Sequence, residues 1–277
     1  MKITCLIDNS VSRGRVWAEH GLSLLLESAA GRVLFDLGDS GTVLKHNAAV
    51  LNLDLTSVDT LVFSHGHTDH TGGLEAVAGL LSGKPLVAHP DVFVERFSGK
   101  DRKSIGFNAE RERTIRQALQ PVLDAGPHQV IAGIRTTGEI TARPYPEGRG
   151  RDHVIRSGDD YVADPYRDDL SLVLSVRDGV VLVLGCAHAG LLNIMATVRA
   201  QYDAPLLAVI GGTHLASADR DTLRLVAREI EACGSPKLYL NHCTGADSLF
   251  HLRYLLPDLV RPFGAGSQLE FAEGALV

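Results

Sequence analysis

The chain has 277 residues, 45% of them hydrophobic and 22% charged, and a net charge of −6. That is enough sequence to bury a large core, and the negative sign argues against a nucleic-acid backbone as the main partner. No uncharged apolar run approaches the ~18 residues of a membrane-spanning helix, and Cys5, Cys186, Cys233 and Cys243 form no CxxC pair, so a membrane span, a zinc ribbon and a thioredoxin-like centre are excluded.

The opening "MKITCLIDNS" has too short an apolar stretch for a signal peptide and reads as a first strand, which makes the cytoplasm the default location. "LSLLLES" (Leu22 to Ser28) and "VLFDLG" (Val33 to Gly38) flank the turn "AAGR" and predict a hairpin. "TVLKHNAAVLNL" has helical spacing. "DTLVF" is a short β-branched run, "GGLEAVAGLL" is apolar at helical spacing, and "PLVAHP" is a strand.

The middle of the chain is less regular. "AERERTIRQALQP" predicts a helix stopped before Pro121, and "TARPYPEGRGRDH" (Thr141 to His153) is loop by its Pro, Gly and Arg content. We read residues 96–164 as an irregular insertion of the kind that shapes or covers a binding site. Between Arg96 and Arg156 twelve Lys and Arg face seven Asp and Glu, a local balance near +5 against −11 elsewhere. Most of these charges read as a solvated helix face; the sharper alternative is a few arginines lining a pocket for an anionic substrate.

The last third alternates again. "DDLSLVLSV" and "VVLVLGC" predict a hairpin turned at "RDG". The helix "AGLLNIMATVRAQ", the strand "PLLAVIGGTHL", the helix "DRDTLRLVAREIEAC" with its stop at Gly234, the strand "KLYLNHCTG" and the helix "SLFHLRYLLP" follow. Both ends of the chain thus give hairpins followed by strand–helix units. Two such halves packed sheet on sheet make a four-layer sandwich with helices outside.

The densest chemistry lies in "SHGHTDHTGG", Ser64 to Gly73, on the loop between "DTLVF" and the helix after it. Two residues apart in an extended segment, His65 and His67 point the same way and can grip one cation. Asp69 and His70 follow as the loop turns, and they face a second. Gly72 and Gly73 let backbone approach closely at the helix start. Imidazole and carboxylate suit zinc first, with manganese or iron as alternatives. No G-x-S-x-G elbow, Ser-His-Asp order, G-x-G-x-x-G or P-loop lysine competes with this reading.

The run "VLFDLG … VDTLVFSHGHTDHTGGL" resembles the metallo-β-lactamase-fold superfamily, whose signature is H-x-H-x-D-H after a strand. "GCAHAGLLNI", "GGTHL" and "NHCTG" resemble a narrower branch, the dihydropterin-ribofuranosylaminobenzene-phosphate synthase-like metal-dependent hydrolases. The likeness spans most of the chain and is weakest over the middle segment. It implies an αββα four-layer sandwich of two mixed sheets in one domain over residues 1–277, with one or two divalent cations in a cleft between the halves.

The resemblance also implies ligands. Where the superfamily usually has Gly-Asp at a strand end, this chain has Gly185-Cys186, with His188 two positions on. His188 is the better ligand candidate; Cys186 is either a thiolate ligand or a small buried filler. His242 matches the superfamily's last ligand histidine, with Cys243 packing beside it. His214 is a ligand or, as we prefer, a group that stabilises charge on the leaving oxygen. Asp168 and Asp169 either approach the cations or serve a turn. Asp36 is expected to order the loop by hydrogen bonds, and His89 to be a substrate contact or a surface histidine. His20, His46, His128, His153 and His251 lack ligand spacing.

The function so implied is metal-dependent hydrolysis of a small anionic substrate, phosphorylated or pterin-like, with Asp69 and His214 as catalytic groups. Two alternatives stand beside it: a metal-stabilised sensor without turnover, and an iron-dependent redox enzyme on the same fold. Partners are expected to be a small molecule, with neither nucleic acid nor membrane.

Overall fold

The computed structural model describes residues 1–150 and 152–274. Leu24 and Leu26 alternate with Leu25 in the strand Ser23–Ser28, and all three are buried. Period-2 alternation with both faces apolar means a strand covered on both sides. Leu24 and Leu26 pack with Val181, Val183 and Ile210 of another sheet, whereas Leu25 packs with Leu44 and Leu74 beneath the helices. In the carboxy-terminal half Leu182 and Leu184 turn the other way, toward Ile194 and Ile230. Three apolar interfaces therefore separate four layers, and each fully buried Leu, Val or Phe side chain contributes about 1.5–3 kcal/mol.

In spatial order the first sheet runs Gln268–Glu270, Lys2–Ile7, Ser23–Ser28, Gly31–Phe35, Thr60–Val62, Pro85–Ala88, Gln120–Leu123. The second runs Gln129–Ile131, Ile134–Thr136, Leu172–Val176, Gly179–Leu184, Leu206–Gly212, Lys237–Asn241, Val260–Pro262. In both, the first three pairings are antiparallel and the last three parallel. The two halves repeat one plan that shares no readable sequence repeat.

The middle segment is more ordered than its composition suggests. Ala109–Ala118 is a helix capped by Asn108, and Gln120–Leu123 and Gln129–Ile131 are edge strands of the two sheets. Pro121 is tolerated because its strand lies at an edge. Arg96–Ser98, Lys103–Ser104, Val154–Ser157 and Asp160–Ala163 form a small antiparallel sheet. These strands are two to four residues long, and the last is exposed throughout, so they carry no alternation to read. The expected helix after the histidine loop is broken into Thr68–Thr71 and Leu74–Val77. Gly72 and Gly73 lie between them, and a side chain on either would strike the carbonyls of Asp39 or Leu37.

Candidate metal centre

His65, Cys186, His214 and His242 each follow the carboxyl end of a strand, at one edge of the sandwich. Several residues there have left-handed backbones without being glycine: Asp36 (φ 61°), Ala187 (57°), His214 (50°) and His242 (46°). Each costs on the order of 1–2 kcal/mol, and such strain persists where surrounding structure fixes it. Close packing fixes it here. A side chain on Gly185 would strike Ser64 Oγ, so the backbone of one half packs directly on a side chain of the other at this point.

The imidazoles are oriented by their outer nitrogens. His70 Nδ1 donates to Asp36 Oδ2 (2.6 Å), His188 Nδ1 to the Gly148 carbonyl (2.8 Å) and His242 Nδ1 to Asn9 Oδ1 (3.0 Å). The Ser64 hydroxyl donates to Asp36 Oδ2 (2.6 Å), so its oxygen accepts from His65 Nδ1 (2.9 Å). With Nδ1 engaged by an outer partner in all four rings, Nε2 is the ring atom that points inward, the arrangement of metal-ligating histidines.

The inward nitrogens converge. His65 Nε2 lies 3.0 Å from His67 Nδ1, and with His188 the three offer donors within 4.8 Å of one another. His70 Nε2 lies 3.2 Å from Cys186 Sγ and 3.2 Å from His242 Nε2, which is 3.3 Å from Asp69 Oδ2. Such separations approach the ~3.3 Å edge of a tetrahedron with 2.0–2.1 Å metal–nitrogen bonds. His188 Nε2 is fully buried with no hydrogen-bond partner among the described residues. A buried lone pair without a partner is costly, and a divalent cation among these donors removes the cost. The residues fit such an ion.

Electrostatics agree. Burial, reinforced by neighbouring imidazoles, holds the pKa of His65 and His188 well below the ordinary value, so both are neutral donors at pH 7. Burial does the same to His67. Burial opposes charge on His70 too, but the Asp69 and Asp36 carboxylates hold its pKa up at about 9. Burial would raise Asp69; the charge of His70 and hydrogen bonds from His20 and His242 overcome that and hold it well below the usual carboxylate range. The surroundings of Asp69 and Asp36 are thus a negative pocket that favours positive charge. Burial brings the pKa of His214 down to about 4, so it is a neutral imidazole at the cleft wall.

All seven residues singled out as ligands (His65, His67, Asp69, His70, Cys186, His188 and His242) meet in this cluster. His214 stands beside it, its ring 4.4 Å from that of His188. Asp168 and Asp169 do not face the cluster. Asp168 Oδ2 accepts the Gly66 N–H (2.9 Å) and Asp169 Oδ2 the Ala189 N–H (2.8 Å), so each holds a ligand-bearing loop by its backbone. Arg96, buried, ties Asp168 (2.6 Å) to Asp164 (2.9 Å). His89 is neither surface nor cleft: it is buried and caps the helical turn Pro90–Phe93.

Spacing missed His20, which reaches Asp69 Oδ2 at 3.2 Å, and His153, which lines the cleft and hydrogen-bonds Tyr166 at 2.7 Å. Both come from loops where no periodicity signals direction. It missed Asp8 as well, whose carboxylate accepts the backbone N–H of His242 at 2.6 Å from the far end of the chain. The cluster floors a cleft of about 430 Å³, with Lys103 on its wall.

Four layers with histidine, cysteine and carboxylate donors gathered at strand ends define a metal-dependent hydrolase-like fold. The chain belongs to the metallo-beta-lactamase superfamily, whose family model matches residues 16–191. It is 28% identical over 259 residues, 84% of each chain, to the 7,8-dihydropterin-6-methyl-4-(beta-D-ribofuranosyl)-aminobenzene-5'-phosphate synthase of Methanocaldococcus jannaschii. An uncharacterised protein of the same organism is 29% identical over 258 residues, 91% of this chain and 94% of that one. Among solved structures, Tm1679, a metal-dependent hydrolase of the beta-lactamase superfamily, superposes with a TM-score of 0.86 at 25% identity, over 99% of this chain and 100% of that one.

Proposed function

We propose that the protein is a metal-dependent hydrolase acting on a small anionic substrate, phosphorylated or pterin-like. The observation that carries this is the convergence of inward-facing imidazole nitrogens on the floor of an open cleft. His65, His67 and His188 would hold one divalent cation, and Asp69, His70, Cys186 and His242 a second; zinc suits the donors best. A bound cation of this kind lowers the pKa of water toward neutrality and polarises a substrate oxygen.

The chain's own groups supply the rest. Asp69 stays ionised and lines the cleft, so it would orient the attacking water and accept its proton. His214, neutral, donates a hydrogen bond to the oxygen on which charge develops, worth about 10²–10³-fold in kcat for a single such donor. Lys103 gives the cleft wall a positive charge, which supports an anionic substrate. Past His214 the cleft adjoins a pocket of about 280 Å³ walled by Leu191, Leu215 and Val226, room for the body of a small molecule. The described cysteines are all free, which fits a reducing compartment such as the cytoplasm. No helix among the described residues is long and apolar enough to cross a membrane.

The test is to strip metal with a chelator and assay phosphodiesters and lactones with zinc, manganese or iron restored. Turnover that returns with metal, and that falls in His214→Ala through kcat rather than KM, supports the reading. Turnover indifferent to metal defeats it. Retention of metal with no turnover across the panel would favour the sensor alternative.

A further inference from the structure

We propose that Cys243 is a cation ligand, adding a second thiolate beside Cys186 and His242. This rests on the metal-centre reading above. Read from sequence alone, Cys243 looks like packing beside His242, and its surroundings say otherwise.

Cys5 shows what a packing cysteine looks like in this fold: fully buried between the two sheets, among Leu24 and Phe263. Cys243 is half-buried and opens onto the cleft. Its sulfur lies within 4.8 Å of both Cys186 Sγ and a ring nitrogen of His242. The His214 backbone N–H donates to it at 3.2 Å, a contact that stabilises a thiolate. The neighbouring strand makes room for it: a side chain on Gly212 would come within 2.6 Å of Cys243 Sγ. The thiol donates to the Cys186 carbonyl at 3.5 Å. Coordination releases that proton and leaves the N–H···S bond in place.

The consequence is selectivity. Two thiolates beside an imidazole form a soft donor set that holds zinc or iron(II) well and magnesium poorly. A superfamily position usually built on a bridging carboxylate is replaced here by sulfur.

Cobalt(II) is the probe. Added to the chelator-treated full-length chain, it gives a sulfur-to-cobalt charge-transfer absorption in the near ultraviolet that scales with the number of thiolates and needs no turnover. We expect Cys243→Ser and Cys186→Ser each to keep about half of the wild-type intensity and the double variant to lose it. Zinc retention at this position should fall in Cys243→Ser by more than the roughly 10–100-fold that loss of an outer-shell partner costs. Full intensity in Cys243→Ser overturns the proposal and leaves the hydrolase reading intact. No cobalt uptake by the wild type sinks both. Iodoacetamide labelling of the wild type serves where the variant fails to fold: zinc should protect Cys243 from alkylation, and equal labelling with and without zinc overturns the assignment.

Discussion

The two halves of the molecule share one sheet plan and deliver their candidate ligands in opposite ways. The amino-terminal half places His65, His67, Asp69 and His70 on a single loop of six residues. The carboxy-terminal half places Cys186, His188 and His242 on two strand ends more than fifty residues apart, with His214 on a third between them. A single loop is stiff through its own sequence and its anchor to Asp36. Separate strand ends are positioned only by the packing of the whole sheet. One half is therefore a local device and the other a product of the tertiary fold.

Substitutions should break this contrast apart. His67→Ala removes a donor from the contiguous loop, and we expect turnover to fall on the order of 10⁴-fold, as for one member of a unit that acts together. Elemental analysis should show about one cation equivalent lost. His242→Ala should also lose about one equivalent, but from the other position, leaving the His65–His67–His188 set filled. Loss of both equivalents in either variant would mean that the halves fill cooperatively, and the two positions would no longer be separable.

The clasp between the halves is the next largest effect. Arg96 ties Asp164 to Asp168, and Asp168 holds Gly66 in the middle of the H-x-H loop. Arg96→Met leaves two buried carboxylates without their counter-charge, which should cost about 3–5 kcal/mol. Thermal unfolding checks this. A loss below about 1 kcal/mol would show that the loop needs no support from the middle segment.

The same contrast governs what the sequence discloses. The loop ligands are legible because four donors lie in register after an apolar strand, and His188 and His242 because they follow long apolar strands ending in glycine or asparagine. Their outer partners are not legible. Asn9 and Asp8 reach His242 across more than two hundred residues, and Gly148 reaches His188 with a carbonyl, a group every residue carries. The sandwich itself follows from strand alternation in the long strands. The small sheet of the middle segment does not, because strands of two to four residues are too short to write an alternating pattern.

Asp169 gives the smallest and most local test. An unfolded aspartate releases its proton near pH 4. Burial keeps the folded Asp169 protonated up to about pH 7, against the pull of the Ala189 N–H. Between those values the folded chain holds a proton that the unfolded chain has lost, so this group's contribution to stability is full below about pH 4 and is lost as pH rises toward 7. Asp169→Asn keeps an oxygen for the Ala189 N–H and removes the titration. Melting temperatures of metal-free protein at pH 5 and pH 8 should therefore fall less in the variant than in the wild type. Equal falls would mean that Asp169 ionises as freely as a surface carboxylate, and the loop bearing His188 would then owe its placement to the Gly148 carbonyl rather than to a neutral buried acid.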